Sequence, residues 1–167
     1  DPAPTRRWDM LGTALAILTG VATEAQGRAA MASYPRAGEI GPAVLWPQQQ
    51  LTPIYHNRGA WPFVTAYGLR AARRVGNDAV VTRDVWALVR GAAANLSNME
   101  NFEWPGGSAR FEDGPYTGPV VNSQRQLWSV AGYLSMVHDV VFGMEADDRG
   151  LRFRPWLPVS LRESLFP

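Results

Sequence analysis

A chain of 167 residues with 46% hydrophobic and 19% charged side chains has the balance of one folded domain with a sizeable core, not of a disordered segment. Its 16 basic and 15 acidic residues leave a formal net charge of +1, so no electrostatic footprint for nucleic acid or an acidic membrane is present. Every basic residue is Arg and there is no Cys, which excludes lysine Schiff bases, thiolate nucleophiles and disulfides from this chain.

The all-Arg usage is most simply a coding bias. Only two histidines occur, His56 and His138, without an H-x-x-x-H pairing, so a His-based zinc site is disfavoured and no metal or cofactor is expected. An all-oxygen calcium site stays open. The longest apolar stretch, Leu11 to Ala22, is broken by Gly12, Thr13, Thr19 and Gly20 and falls short of the roughly 18 residues a membrane span needs. No signal peptide is visible. The opening at Asp1 and the stop at Pro167 read as those of a piece of a longer protein.

Leu11, Leu15, Leu18 and Ala22 recur at helical spacing, and a second short helix is predicted over Glu24 to Tyr34, ended by Pro35. Pro35 to Pro53, with three consecutive glutamines at 48–50, fits no period and reads as a long loop, a type that is usually functional. The third helix is expected from near Gly59 to about Val75, with Pro62 in its first turn and Arg70, Arg73 and Arg74 towards solvent. Gly76-Asn77-Asp78 supplies a C-cap and the next N-cap. A fourth helix carries Val81, Val85, Leu88 and Ala92 on one stripe. A second long loop, Ser97 to Asn122, is rich in Gly and Pro. Ser123-Gln124-Arg125-Gln126 has the form of a capping box opening a fifth helix, with Leu127, Val130, Leu134, Val137 and Val141 as its buried stripe and Gly143 as its end. After the turn at Asp147 to Gly150, Leu151-Arg152-Phe153-Arg154 alternates like a half-buried strand. The expected fold class is therefore all-α: helical hairpins joined by long loops on one rim, able to form part of a toroid, with the start of a β element at the C-terminal end.

Two segments bring together side chains suited to a sugar, which needs aromatic faces for its C–H surfaces and amides or carboxylates for its hydroxyls. Tyr55, His56, Asn57 and Arg58 cluster before a helix N-terminus, a place that favours hydroxyl-rich or anionic partners, and Trp61 follows one turn in. A capped helix start with Trp61 and Phe63 as core explains the same residues. Glu100 and Glu103 lie between Met99, Phe102 and Trp104. Carboxylates among apolar neighbours lose hydration, a setting that suits acid–base work, and two solvated acids beside a hydrophobic anchor is the plainer alternative. Glu112 and Asp113 precede Gly114-Pro115 and read as turn residues. Gln126 is the capping-box partner, and Trp128 a core or rim aromatic. Placed on one rim, these residues form one polar, aromatic cleft.

The segment Tyr55-His56-Asn57-Arg58-Gly59-Ala60-Trp61-Pro62-Phe63 resembles the Y-H-N-G-x-x-W-P segment of six-hairpin, (α/α)6-barrel glycoside hydrolases, the glycogen-debranching, trehalase-like and processing α-glucosidase-like enzymes. Ser123 to Tyr133, Phe142-Gly143 and Gly150 to Pro155 are similar to the last barrel helix and the strand entering a C-terminal β-sandwich. The resemblance implies a boundary, with residues 1–143 as the C-terminal part of an (α/α)6 catalytic domain and 144–167 as the start of the sandwich. It also implies that Tyr55, His56, Asn57, Arg58, Trp61, Glu103, Gln126 and Trp128 bind a carbohydrate substrate. Glu100-Asn101-Phe102-Glu103, beginning 39 positions after Trp61, matches a Glu-[Lys/Asn]-[Tyr/Phe]-acid segment that holds the catalytic base, so Glu100 is expected to be that base and Glu103 a supporting acid. Arg58 departs from the family, where many members have Gly.

These families invert at the anomeric carbon, which takes an acid and a base roughly 6.5–9.5 Å apart with water between base and sugar. The acid is expected upstream of Asp1, so that this piece alone would be inactive. A glycoside phosphorylase on the same barrel and a non-catalytic carbohydrate-binding toroid are the alternatives. A bacterial periplasmic or extracellular setting is favoured over the cytoplasm, and nothing in the sequence sets an oligomeric state.

Overall fold

The computed structural model describes residues 6–34, 38–49, 51–52, 55–109, 122–156, 159 and 162–163. In chain order these form β1 (Trp8–Asp9), α1 (Met10–Leu18), α2 (Glu24–Ser33), β2 (Leu45–Trp46), β3 (Gly59–Ala60), α3 (Pro62–Arg74), α4 (Asp78–Asn95), β4 (Phe102–Glu103), α5 (Leu127–Ser135), β5 (Met144–Asp147) and β6 (Gly150–Phe153). A π-helical turn over Met136–Val141 continues α5.

Helices begin where the sequence supplies caps. Asp9 Oδ1 accepts the Gly12 amide at 2.8 Å, and Asn77 Oδ1 accepts that of Val80 at 3.2 Å. Thr23 and Gln26 form a reciprocal capping box at the start of α2. Pro62 opens α3 at a position whose missing N–H has no intrahelical partner to lose. The helix therefore starts at Pro62 and not Gly59, which belongs to β3.

At the centre lies α3, which packs against α1, α4 and α5. Its small residues admit close neighbours: a Cβ on Gly132 of α5 would lie 3.1 Å from Ala66 Cβ. Around α3, Ala14, Ile17, Leu69, Val81, Leu88, Met136 and Val140 form the main core. The stripe expected on α4 is largely the observed one, with Val81, Val85 and Leu88 buried. A second cluster is Met10, Tyr34, Val44, Trp61 and Val64, with Trp8, Leu45 and Tyr55 packed against it. Tyr34 Oη ties it down by donating to the carbonyls of Ala43 at 2.8 Å and Val44 at 3.1 Å. Burial, with Asp9 adding to it, pushes that phenol well above its ordinary range, so it stays a donor.

The fold class departs from the all-α expectation. Helices make up 50% and strands 13%, in three antiparallel two-stranded sheets, and the result is a mixed compact domain, not an all-α toroid. The reason is that loops lying on a core must satisfy their backbone groups. Leu45–Trp46 does so on Trp8–Asp9, and Phe102–Glu103 on Gly59–Ala60. The strand expected over Leu151–Arg154 is found at Gly150–Phe153 as one arm of the β5–β6 hairpin, which begins after Gly143, but all four of its residues are exposed and it is not half-buried.

Two further expectations are corrected. Ser123 does not cap α5: the N-cap position is Gln126, without a side-chain cap bond. The buried side of α5 and its π turn is Ser129, Met136 and Val140, while Leu127 (79%) and Leu134 (50%) are exposed. Close approach to α3 selects the small Ser129 and Gly132 side, and the π turn rotates the residues after it. Nor do Arg73 and Arg74 simply face solvent. Arg73 donates to the carbonyls of Asp139 (2.6 Å), Val140 and Arg154, and Arg74 to that of Leu18 at 2.7 Å, so each meets carbonyl groups where a helix or its π turn ends.

Asp84 is fully buried in α4, with Oδ1 accepting from Arg83 Nε at 2.8 Å and Oδ2 without a partner. Burial raises its carboxyl above the ordinary range, outweighing the Arg83 guanidinium, which lowers it. The unfolded carboxyl thus ionises at a lower pH than the folded one. Stability should fall as pH rises from the unfolded towards the folded pKa and level off above it. Asp84→Asn should raise the Tm at pH 8 by roughly 2–6 °C and leave it unchanged near the acid end. Equal pH dependence of the Tm in the two proteins would contradict this.

Candidate functional site

The two segments singled out in the sequence are joined directly. Gly59 and Ala60 pair with Glu103 and Phe102 as β3 and β4, and the Trp104 amide extends the junction by donating to Arg58 O at 2.8 Å. The chain leading in is tight: Arg58 adopts a left-handed φ of 56°, and a Cβ on Gly59 would lie 2.1 Å from Tyr55 O. Only glycine fits at 59.

Glu100 is 5% exposed. Its Oε1 accepts from the Tyr55 hydroxyl at 3.2 Å and its Oε2 from the Ser123 amide at 2.9 Å. The Glu100 amide in turn donates to Ser123 O at 2.9 Å. One carboxylate thus joins the loop before α3, the loop after α4 and the entry to α5. The Tyr55 phenol is pushed above its ordinary value, chiefly by lost hydration and then by the Glu100 charge it bonds, so at neutral pH it is a donor.

An aromatic cluster adjoins the carboxylate. Trp61 meets Tyr55 edge to face at 4.9 Å, lies under His56 at 4.8 Å with 24° between planes, and meets the Trp128 edge at 5.9 Å. Phe63 and Trp128 stack at 4.7 Å and 18°. Trp61 itself is only 2% exposed and its Nε1 donates to Tyr55 O at 3.2 Å. It is a pedestal, and the surfaces open to a ligand are His56 and Trp128, the latter 46% exposed.

Two other expected ligands, Asn57 and Glu103, have side chains engaged by the backbone. Asn57 donates from Nδ2 to Gln49 O and Thr52 O, both at 2.9 Å, and accepts the Gln49 amide at 2.7 Å on Oδ1. Glu103 Oε2 accepts from the Gly106 amide at 2.9 Å and so closes its own turn. Arg58 contributes its carbonyl to Trp104. Gln126 is half-buried, and its backbone N–H donates to Asn98 O at 2.9 Å. The turn assignment for Glu112 and Asp113 lies outside the described residues.

Sequence reasoning missed the Ser123 amide, because a backbone donor to a side chain 23 residues away leaves no pattern. It also passed over Trp46, whose ring meets that of Trp104 edge to face at 5.2 Å. Among the described residues, no group of three or more His, Asp or Glu is arranged to hold a metal, and no helix is long and apolar enough to cross a membrane.

Since Asn57 makes three hydrogen bonds to Gln49 and Thr52 while 8% exposed, Asn57→Ala should cost roughly 2–3 kcal/mol in urea unfolding. An unchanged midpoint would show that these bonds add no stability.

No family model matches this chain, and no curated protein matches it in sequence.

Proposed function

We propose that this chain carries part of the active site of a glycoside hydrolase that inverts the anomeric centre, with Glu100 as the general base and a carbohydrate as substrate. The observation that carries the reading is the Glu100 carboxylate. It takes a hydrogen bond from Tyr55 and another from Ser123, and it shares Tyr55 with the Trp61 cluster. A base of this kind must be held in one orientation, and two donors on different oxygens do that. Each oxygen retains lone-pair capacity for water. Beside it, His56 offers a face to a pyranose over the buried Trp61. Inversion also needs an acid on the other side of the scissile bond. In this reading that acid belongs to a segment upstream of Asp1.

The resemblance of Tyr55–Phe63 and Glu100–Glu103 to debranching- and trehalase-type hydrolases supports the choice of substrate class. It does not carry a barrel with it. A second reading is favoured by one feature: Glu100 is nearly buried and both its oxygens are engaged, as in a structural clasp within a non-catalytic carbohydrate-binding domain.

Chemical rescue separates the two. In the gene product as encoded, Glu100→Ala should lower kcat by about three orders of magnitude or more, and azide, an anionic nucleophile that needs no base, should restore turnover by attacking the anomeric carbon to give the glycosyl azide of inverted configuration. Loss of cooperative unfolding, with no effect of azide, would favour the clasp. Wild-type turnover in the variant would end the assignment.

A further inference from the structure

Beyond the Glu100 cluster, the face between α3 and α5 holds an open groove of about 470 Å3, bordered by Phe63, Tyr67, Arg70, Trp128, Ser135 and Asp139. That size falls within the roughly 300–1,000 Å3 of small-molecule sites. The two helices are in close contact beside it, where a Cβ on Gly132 would lie 3.1 Å from Ala66 Cβ and 3.3 Å from Phe63 Cα. One end is aromatic, with Trp128 stacked on Phe63 at 4.7 Å and still 46% exposed.

The other end is polar. Ser135 Oγ donates to Asp139 Oδ2 at 2.5 Å, Arg70 Nε lies 3.7 Å from the same oxygen, and the Arg70 guanidinium sits 5.7 Å from the centre of the Tyr67 ring. The two charges balance, so an anionic ligand meets Asp139 and a cationic one meets Arg70. A purely apolar occupant would strip water from a half-exposed ion pair, a desolvation that its attraction need not repay. What remains is a neutral molecule with a flat C–H face and hydroxyls along one edge.

We infer that the groove is a second carbohydrate subsite. One pyranose rests on Trp128, with hydroxyls on Arg70, Asp139 and Ser135. Trp128 also touches Trp61 at 5.9 Å, so a sugar here continues the path from the Glu100 cluster. The inference rests on the carbohydrate reading for its ligand class, and does not require Glu100 to act as a base.

The test is titration of the encoded protein carrying Glu100→Gln, which prevents turnover, with neutral α- and β-linked glucose and mannose trisaccharides. Binding is followed by tryptophan fluorescence and calorimetry. Trp128→Ala should weaken binding at least tenfold and Asp139→Asn at least fivefold, with thermal unfolding confirming that both variants fold and Trp128→Phe retaining most of the affinity. Trisaccharide binding that ignores Trp128 and Asp139 would overturn this subsite and leave the hydrolase reading standing. Loss of binding in these variants, with no hydrolysis by the unmutated protein, would keep the subsite and remove the hydrolase. Failure of every trisaccharide to bind would overturn the subsite, and hydrolysis measured in parallel then decides the other claim.

Discussion

A carboxylate removed from water must be met by donors, and at Glu100 that requirement draws three loops to one point. Tyr55 arrives from the segment before α3 and Ser123 from the entry to α5, while Glu100 stands on the loop leaving α4. Without the carboxylate, the Ser123 amide and the Tyr55 hydroxyl would each lose a partner, and only the β3–β4 pairing and the Trp104 amide on Arg58 O would hold the two loops together. The β3–β4 pairing beside it is only two residues long on each strand, too short to hold two loops in register alone.

Beneath this junction, helices fix the positions of the side chains that the loops bring together. Packed on several sides, α3 starts at Pro62 directly after Trp61, so the indole is set by the most buried helix of the domain. Arg73 and Arg74 complete the scaffold from the other end of α3 by meeting carbonyls near Leu18 and Val140. The exposed aromatic surface, Trp128 on Phe63, therefore rests on two helices that touch through Gly132 and Ala66.

The sequence disclosed what depends on local periodicity and capping. Pro62, Asn77 and the Val81–Leu88 stripe announce their helices, and the proximity of Tyr55–Phe63 to Glu100–Glu103 followed from reading both as loops on one side of the helices. Strands of two residues are shorter than one full alternation, so the mixed fold class could not be read from pattern. The α5 stripe failed because a π turn breaks the 3.6-residue period and small residues, not leucines, set the contact with α3. Asn57 and Glu103 looked like ligands because their partners are backbone groups, which every sequence contains and none displays.

The central claim is that the Glu100 carboxylate directs water at an anomeric carbon from the face opposite the leaving group. The most direct measurement is the stereochemistry of the first-formed product, followed by proton NMR of the anomeric signal as the encoded protein hydrolyses a glycoside of known configuration. The account predicts that the configuration is inverted before mutarotation sets in. Retention would contradict it, because retention needs a nucleophilic carboxylate only about 5–5.5 Å from its acid partner and a covalent sugar intermediate in place of water.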